Sequence, residues 1–230
     1  MNYSRENPSS NYVKNIDFYK NMHENGFYTT SGEKKNTDEA YAGRTTSSYV
    51  KLIKNIIIKN QCESLLDYGC GKAKLYNKEF QTNEASYPNL RDYWNIKINL
   101  YDPCYKPYDK LPKTKADISI CIDVLEHIPV EDTNWILREF MSLTKKITFI
   151  NIACYPAVAL LPNGENAHIN IQTPEWWQEK IIKCAEEFKH LKILALCGYT
   201  SEKGNLKWKS VDIRDSVQEY IKKNKLKTTL

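Results

Sequence analysis

A chain of 230 residues, 41% of them hydrophobic, can bury one sizeable core and suits one domain with additions or two small ones. No apolar stretch approaches the ~20 residues that span a bilayer; the longest, 147–161, is broken by Asn151 and Pro156, and the first residues hold no apolar signal core, so a soluble cytoplasmic protein without membrane contact is expected. The net charge of +5 is mild, with lysines near the end (Lys222, Lys223, Lys225, Lys227) but no arginine-rich block, and the seven cysteines form no C-x-x-C pair, which argues against a zinc knuckle or thioredoxin-like site and suits a reducing compartment.

Residues 1–11 are polar and are expected to lack order. Tyr12, Ile16, Tyr19 and Met22 then keep helical spacing up to Gly26, and 27–43 reads as a polar loop. Tyr49, Leu52, Ile53, Ile56 and Ile57 form the apolar stripe of an amphipathic helix, with Thr46 or Ser47 as its N-cap. A strand is predicted at about 63–68, a short helix after Lys72, an insertion at 81–95 and a second strand at 97–101. Pro103, Pro107 and Pro112 crowd the next loop and leave no room for a long helix before Ala116, so the third strand of a regular alternation is expected to be reduced. The stretch 117–122 is apolar apart from Asp117 and Ser119, as a parallel strand covered on both faces should be. A helix opens at Pro129 and Glu131 and runs through Leu143, and a strand follows at 146–153. Thr173-Pro174-Glu175 supplies an N-cap, a proline at the first helical position and an acid in the first turn. Two more strands are predicted at 191–197 and 206–213, with a turn at Gly204-Asn205, and a last helix near Asp215.

This alternation predicts an α/β fold with an open, doubly wound, mostly parallel sheet of six or seven strands, the last antiparallel. Ligands of such sheets bind outside the carboxyl ends of the strands. Asp67, Asp102, Asp123 and the segment after Ala153 fall there.

The run Ser64-Leu-Leu-Asp-Tyr-Gly-Cys-Gly-Lys-Ala73 carries the strongest signal. An apolar strand ends in an acid and meets two glycines one residue apart, which allow a tight turn and a close backbone approach to a ligand. Two further segments follow in order: Ile98-Asn-Leu-Tyr-Asp102 and Ala116-Asp-Ile-Ser-Ile-Cys-Ile-Asp-Val-Leu-Glu-His127. At these three places the chain resembles the class I S-adenosylmethionine-dependent methyltransferases, a superfamily with a Rossmann-like fold. The run Asp123-Val-Leu-Glu-His127 is similar to the fourth-strand motif of its small-molecule branch. The chain departs from the pattern at Ala73, where a third glycine is frequent, and in the distance from Asp67 to Asp102, which the 81–95 segment lengthens.

The resemblance implies S-adenosylmethionine as cofactor, contacted by Asp67, Tyr68, Gly69, Cys70, Gly71, Asp102, Pro103, Asp123 and Val124. Asp102 would accept the two ribose hydroxyls, and Arg44, just ahead of the amphipathic helix, would bind the cofactor carboxylate. His127 and His168 are the candidate catalytic bases, since an imidazole can take a hydroxyl or amine proton near neutral pH. Tyr155, Asn166, Trp176 and Trp177 are the candidate acceptor contacts on the long connection after the fifth strand. No metal site is expected. The domain reading is an N-terminal extension, 1–43, partly helical and able to act as a lid, followed by a methyltransferase domain, 44–230, with insertions at 81–95 and 154–173. The expected acceptor is a small molecule; RNA methylation, or a non-catalytic cofactor-binding interaction module, is the alternative. Nucleic acid is not indicated by the composition, and nothing in it sets an oligomeric state.

Overall fold

The computed structural model describes residues 3–81 and 85–213. Its first element is helix α1 (Ser10–Asn25), capped by Ser9, whose side chain accepts from the Tyr12 N–H at 3.0 Å. The described residues ahead of it are tied down rather than loose: Arg5 pairs with Glu139 and donates to the Tyr101 hydroxyl, and Ser9 bonds the buried Asp132. The polar segment after α1 contains a small antiparallel ribbon, β1 (Phe27–Tyr28) with β2 (Lys34–Lys35).

A 3-10 turn (Arg44–Tyr49) leads into helix α2 (Val50–Lys59). The helix buries Val50, Leu52, Ile53, Ile56 and Ile57, each worth roughly 1.5–3 kcal/mol when fully removed from water. Neither Thr46 nor Ser47 caps it: Tyr49 is the cap residue and makes no side-chain capping bond. Strand β3 (Ser64–Tyr68) follows. The helix expected after Lys72 is only a 3-10 turn (Lys74–Tyr76), entered through Ala73 in the left-handed region at φ 49°. The segment expected as an insertion is the crossover itself. It contains the ribbon β4 (Phe80–Gln81) with β5 (Ser86–Tyr87) and the short helix α3 (Leu90–Trp94), whose Trp94 is buried and donates its indole N–H to the Val50 carbonyl at 3.1 Å.

Strand β6 (Lys97–Tyr101) comes next, and no strand lies between it and β7 (Ala116–Ile122) among the described residues, so the expected third strand is absent there. Helix α4 (Thr133–Ser142), strand β8 (Thr144–Cys154), helix α5 (Pro174–Ala185), strand β9 (Lys192–Thr200) and strand β10 (Leu206–Ile213) complete the domain. As the sequence predicts, Thr173 caps α5 and Pro174 opens it. The helix predicted near Asp215 and the terminal lysines lie outside the described residues.

The six strands form one sheet in the order β10-β9-β8-β7-β3-β6, parallel throughout except for the β9–β10 hairpin. Successive strand residues point to opposite faces, and both faces are covered. On one side α4 and α5 pack over Leu66, Tyr68, Ile150 and Ile193; on the other α2 and α3 pack over Leu65, Ile118, Ile120 and Phe149. The chain leaves β3 for β6 on one side and returns to β7 on the other, so the order reverses at β3. A crevice opens beside the carboxyl ends of strands at such a point.

Candidate active site

A cavity of about 510 Å³ occupies that crevice, within the usual size of a small-ligand site. Its floor is the turn Gly69–Gly71 after β3, Asp102 to Cys104 after β6, and Ile122 to Val124 after β7. One wall is Tyr155 to Ala159 and His168, from the connection after β8. The roof is α1, through Asn15, Ile16, Tyr19 and His23, with Phe27, Thr29 and 41–46 beside it.

The roof is joined to the wall by backbone. The Thr30 N–H donates to the Val158 carbonyl and the Leu160 N–H to the Tyr28 carbonyl, at 2.8 and 2.9 Å. A small apolar cluster of Met22, Leu161 and Ala167, with Phe18, Tyr19, Phe27 and Tyr41 against it, fills the space between. Helix α1 and the segment that follows it, up to residue 43, are thus a packed cover.

The floor turn requires glycine. Gly69 has φ +86°, and a Cβ on it would strike the Val124 side chain; Gly71 has φ +57°, and a Cβ would strike the Tyr41 carbonyl. Asp102 braces this turn. Its carboxylate accepts from the Gly71 N–H at 2.8 Å and from the Cys104 N–H at 2.8 Å, which offsets the upward push that burial gives its pKa. With one lone pair on each oxygen engaged, the other pairs remain for a ligand.

Gly69, Cys70, Gly71, Asp102, Pro103, Asp123, Val124 and Arg44 all line the cavity, as do Tyr155, His127 and His168. Arg44 is exposed at the rim and makes no ion pair among the described residues. Five of the predicted site residues stand elsewhere. Asp67 turns toward the α2 side, where the Tyr76 hydroxyl donates to it at 2.7 Å, and burial pushes its pKa up to about 7. Tyr68 turns to the opposite face and donates to Glu139 at 2.6 Å. Asn166 braces its own loop, bonding the Ala157 N–H and carbonyl. Trp177 is wholly buried in the core, and Trp176 stacks edge-to-face on it under Lys180.

The two histidines meet edge-to-face, ring centroids 4.7 Å apart. His168 Nδ1 is 2.6 Å from the Tyr155 carbonyl, and His127 Nδ1 is 2.9 Å from the Ala167 carbonyl. A carbonyl only accepts, so each Nδ1 carries the proton and each Nε2 keeps a lone pair. Burial, reinforced by His168, pushes the His127 pKa down to about 4. His127 is therefore neutral at pH 7, a weak base and an available lone-pair donor.

Asp123, at φ 60°, is one of the few residues other than glycine in the left-handed region, a strained geometry that aspartate tolerates better than most residues. Thr45 donates to its Oδ2 at 3.1 Å. Ligand atoms of Asp123, His127 and His168 lie within 4.8 Å of one another, a donor set able to hold a metal ion that the sequence alone did not suggest. Glu126, one turn on, is fully buried; its Oε1 accepts from the Ala153 N–H at 2.6 Å, and burial beside Asp123 raises its pKa well above the usual carboxylate range. It joins β7 to β8 rather than facing the cavity.

Tyr19, Asn15 and Thr45 contact the site without any sequence signal. Asn15 donates to the His127 carbonyl at 2.9 Å, and the Tyr19 hydroxyl lies 2.6 Å from His127 Nδ1. The sequence shows only the helical spacing of Tyr19 with Tyr12 and Ile16.

No protein-family model matches this chain, and no curated protein or solved structure does.

Proposed function

We propose that the protein is an S-adenosylmethionine-dependent methyltransferase of the cytoplasm, acting on a small-molecule acceptor. One observation carries the reading: the Gly69–Gly71 turn, Asp102 and the 123–127 segment, the three stretches that resemble the superfamily, all open on one cavity at the reversal point of a parallel sheet.

In this reading the nucleoside lies over the glycine turn, Asp102 receives ribose hydroxyls and Arg44 pairs with the donor carboxylate. The sulfonium methyl then points toward Asp123, Tyr155 and the histidine pair. Tyr19, Tyr41 and Tyr155 line the cavity, and aromatic rings suit a cationic donor. An acceptor lone pair forms a bond to the methyl carbon as the carbon–sulfur bond breaks. The bonding pair leaves on sulfur, giving S-adenosylhomocysteine, and the acceptor loses one proton. The sulfonium is already activated, so alignment and exclusion of water do most of the work, worth up to ~7–11 kcal/mol in favourable cases.

A small acceptor fits because the packed cover of α1, Phe27 and Thr29 closes the acceptor side, where a polymer would need an open groove. All seven cysteines are free thiols, in keeping with a reducing compartment.

Calorimetry with S-adenosylmethionine, S-adenosylhomocysteine and adenosine tests the reading. Micromolar binding of the first two, stronger than that of adenosine and at least tenfold weaker in Asp102→Ala (~1.4 kcal/mol), is expected. No binding of either sulfur compound to the wild-type protein overturns it.

A further inference from the structure

We infer that Asp123, His127 and His168 bind one first-row divalent transition cation of the Mn²⁺, Fe²⁺, Co²⁺ or Zn²⁺ class. The site is built from two stretches far apart in the chain: the 123–127 segment, where Asp123 follows β7 and His127 ends the next 3-10 turn (Leu125–His127), and the wall loop forty-odd residues later. The short spacing sets Asp123 near His127, and the fold brings His168 to them, with one ligand atom of each within 4.8 Å of the other two.

Three features separate this group from a chance meeting of polar side chains. Both imidazoles are held from behind. His127 Nδ1 sits on the Ala167 carbonyl and the Tyr19 hydroxyl, and His168 Nδ1 sits on the Tyr155 carbonyl. Backbone anchoring of one ring nitrogen is how metal-ligating histidines are oriented, because it fixes the tautomer and leaves the other nitrogen to bind. Neither Nε2 has a hydrogen-bond partner among the described residues. Asp123 is oriented likewise: Thr45 holds Oδ2, and Oδ1 has no partner among the described residues. Two unshared imidazole lone pairs and a carboxylate at a cavity wall repel one another unless a cation lies between them.

The donor set selects the cation. Two nitrogens and one carboxylate suit borderline transition metals better than Mg²⁺ or Ca²⁺, which prefer oxygen shells. Bonds of about 2.0–2.2 Å set neighbouring donors about 3.0–3.5 Å apart, so the three side chains must draw in by roughly an ångström. Three protein ligands leave further positions open to the cavity. There the cation would take a hydroxyl or amine of the acceptor and lower its pKa, which would relieve His127 of acting as a base. That role rests on the methyl-transfer reading; the cation site itself does not.

The test is Co²⁺ titration of the chelator-stripped full-length protein, followed by visible absorption and calorimetry, with S-adenosylmethionine binding measured separately. One equivalent of Co²⁺ is expected, with ligand-field bands and no thiolate charge-transfer band. Asp123→Asn, whose side chain tolerates the left-handed backbone, and His168→Gln should each weaken binding at least tenfold with circular dichroism unchanged. If either variant unfolds, Thr45→Val replaces it, removing a bond to the carboxylate but no ligand, with a several-fold loss expected. No uptake, thiolate bands, or equal affinity in the variants overturns the inference. Co²⁺ uptake without S-adenosylmethionine binding would leave the cation site standing and remove the methyl-transfer reading; the reverse result would do the opposite.

Discussion

The Tyr19 hydroxyl lies 2.6 Å from His127 Nδ1 and 3.1 Å from the Ala167 carbonyl, so one residue of the N-terminal helix holds both histidine-bearing segments. The cover and the site are therefore one packed unit. Tyr19→Phe keeps the ring in the Met22 cluster and removes the hydroxyl's bonds. It should cost ~1 kcal/mol in urea unfolding, while Ala167 keeps its bond from His127. A loss near zero would mean that the hydroxyl does not brace the site.

The far end of the cover is held at Asp132, which is fully buried and accepts from the Ser9 N–H at 3.0 Å, the Ser9 hydroxyl and the Trp135 indole N–H at 2.7 Å. Asp132→Ala strands those donors and frees the cap of α1. We expect ~2–4 kcal/mol of lost stability and faster amide exchange over residues 10–25 than over β7 and β8. Uniform acceleration across the chain would show that α1 is not a separate opening unit.

The glycines of the floor turn differ from surface glycines in what a methyl group would meet. At Gly69 and Gly71 it collides with Val124 and the Tyr41 carbonyl; at Gly164, φ +85°, it meets nothing within 4 Å. Gly164→Ala should cost only the left-handed penalty of ~1–2 kcal/mol. Gly69→Ala and Gly71→Ala add a clash, so each should cost clearly more. Equal losses in all three, read from denaturant melts, would remove the close-approach argument.

Asp67 predicts a pH effect whose sign follows from its raised pKa. Between the ordinary carboxylate value and about 7 the folded protein holds a proton that the unfolded chain has released. That contribution is complete at low pH and is lost as pH rises through about 7. His23 opposes it in part: burial and Lys72 lower its pKa to about 4, so acid below 6.5 favours the unfolded chain at that residue. The clean measurement is the difference between wild type and Asp67→Asn. The variant should gain several degrees of Tm at pH 8 relative to pH 4.5; a pH-independent difference would mean that Asp67 titrates normally.

Arg44 stands at the rim with no ion pair among the described residues, free to meet an anionic group. Arg44→Ala should weaken S-adenosylmethionine about tenfold, ~1.4 kcal/mol, and leave adenosine unchanged. Equal loss for both ligands would place the arginine at the nucleoside instead.

Most of the frame was legible because it depends on local pattern. The apolar run of β7, the stripe of α2 and the Thr173–Pro174 cap each state their structure within a few residues. The failures have physical causes. Asp67 and Tyr68 end a strand buried on both faces, so alternation sends one to Tyr76 and the other to Glu139, and neither into the crevice. Trp176 and Trp177 read as acceptor contacts because an aromatic pair suits a site as well as a core; here they belong to the α5 face of the sheet.

By itself, the sequence determined the parallel α/β sheet, the glycine turn at the end of its first strand and the acids at the strand ends, because periodicity and backbone conformation act over neighbouring residues. Only the tertiary structure decided which of those side chains share a cavity, that α1 and the segment after it roof it, and that Asp123 meets His127 and His168. Those contacts join residues up to 148 apart along the chain. They follow from how the sheet is crossed and covered, which no local pattern encodes.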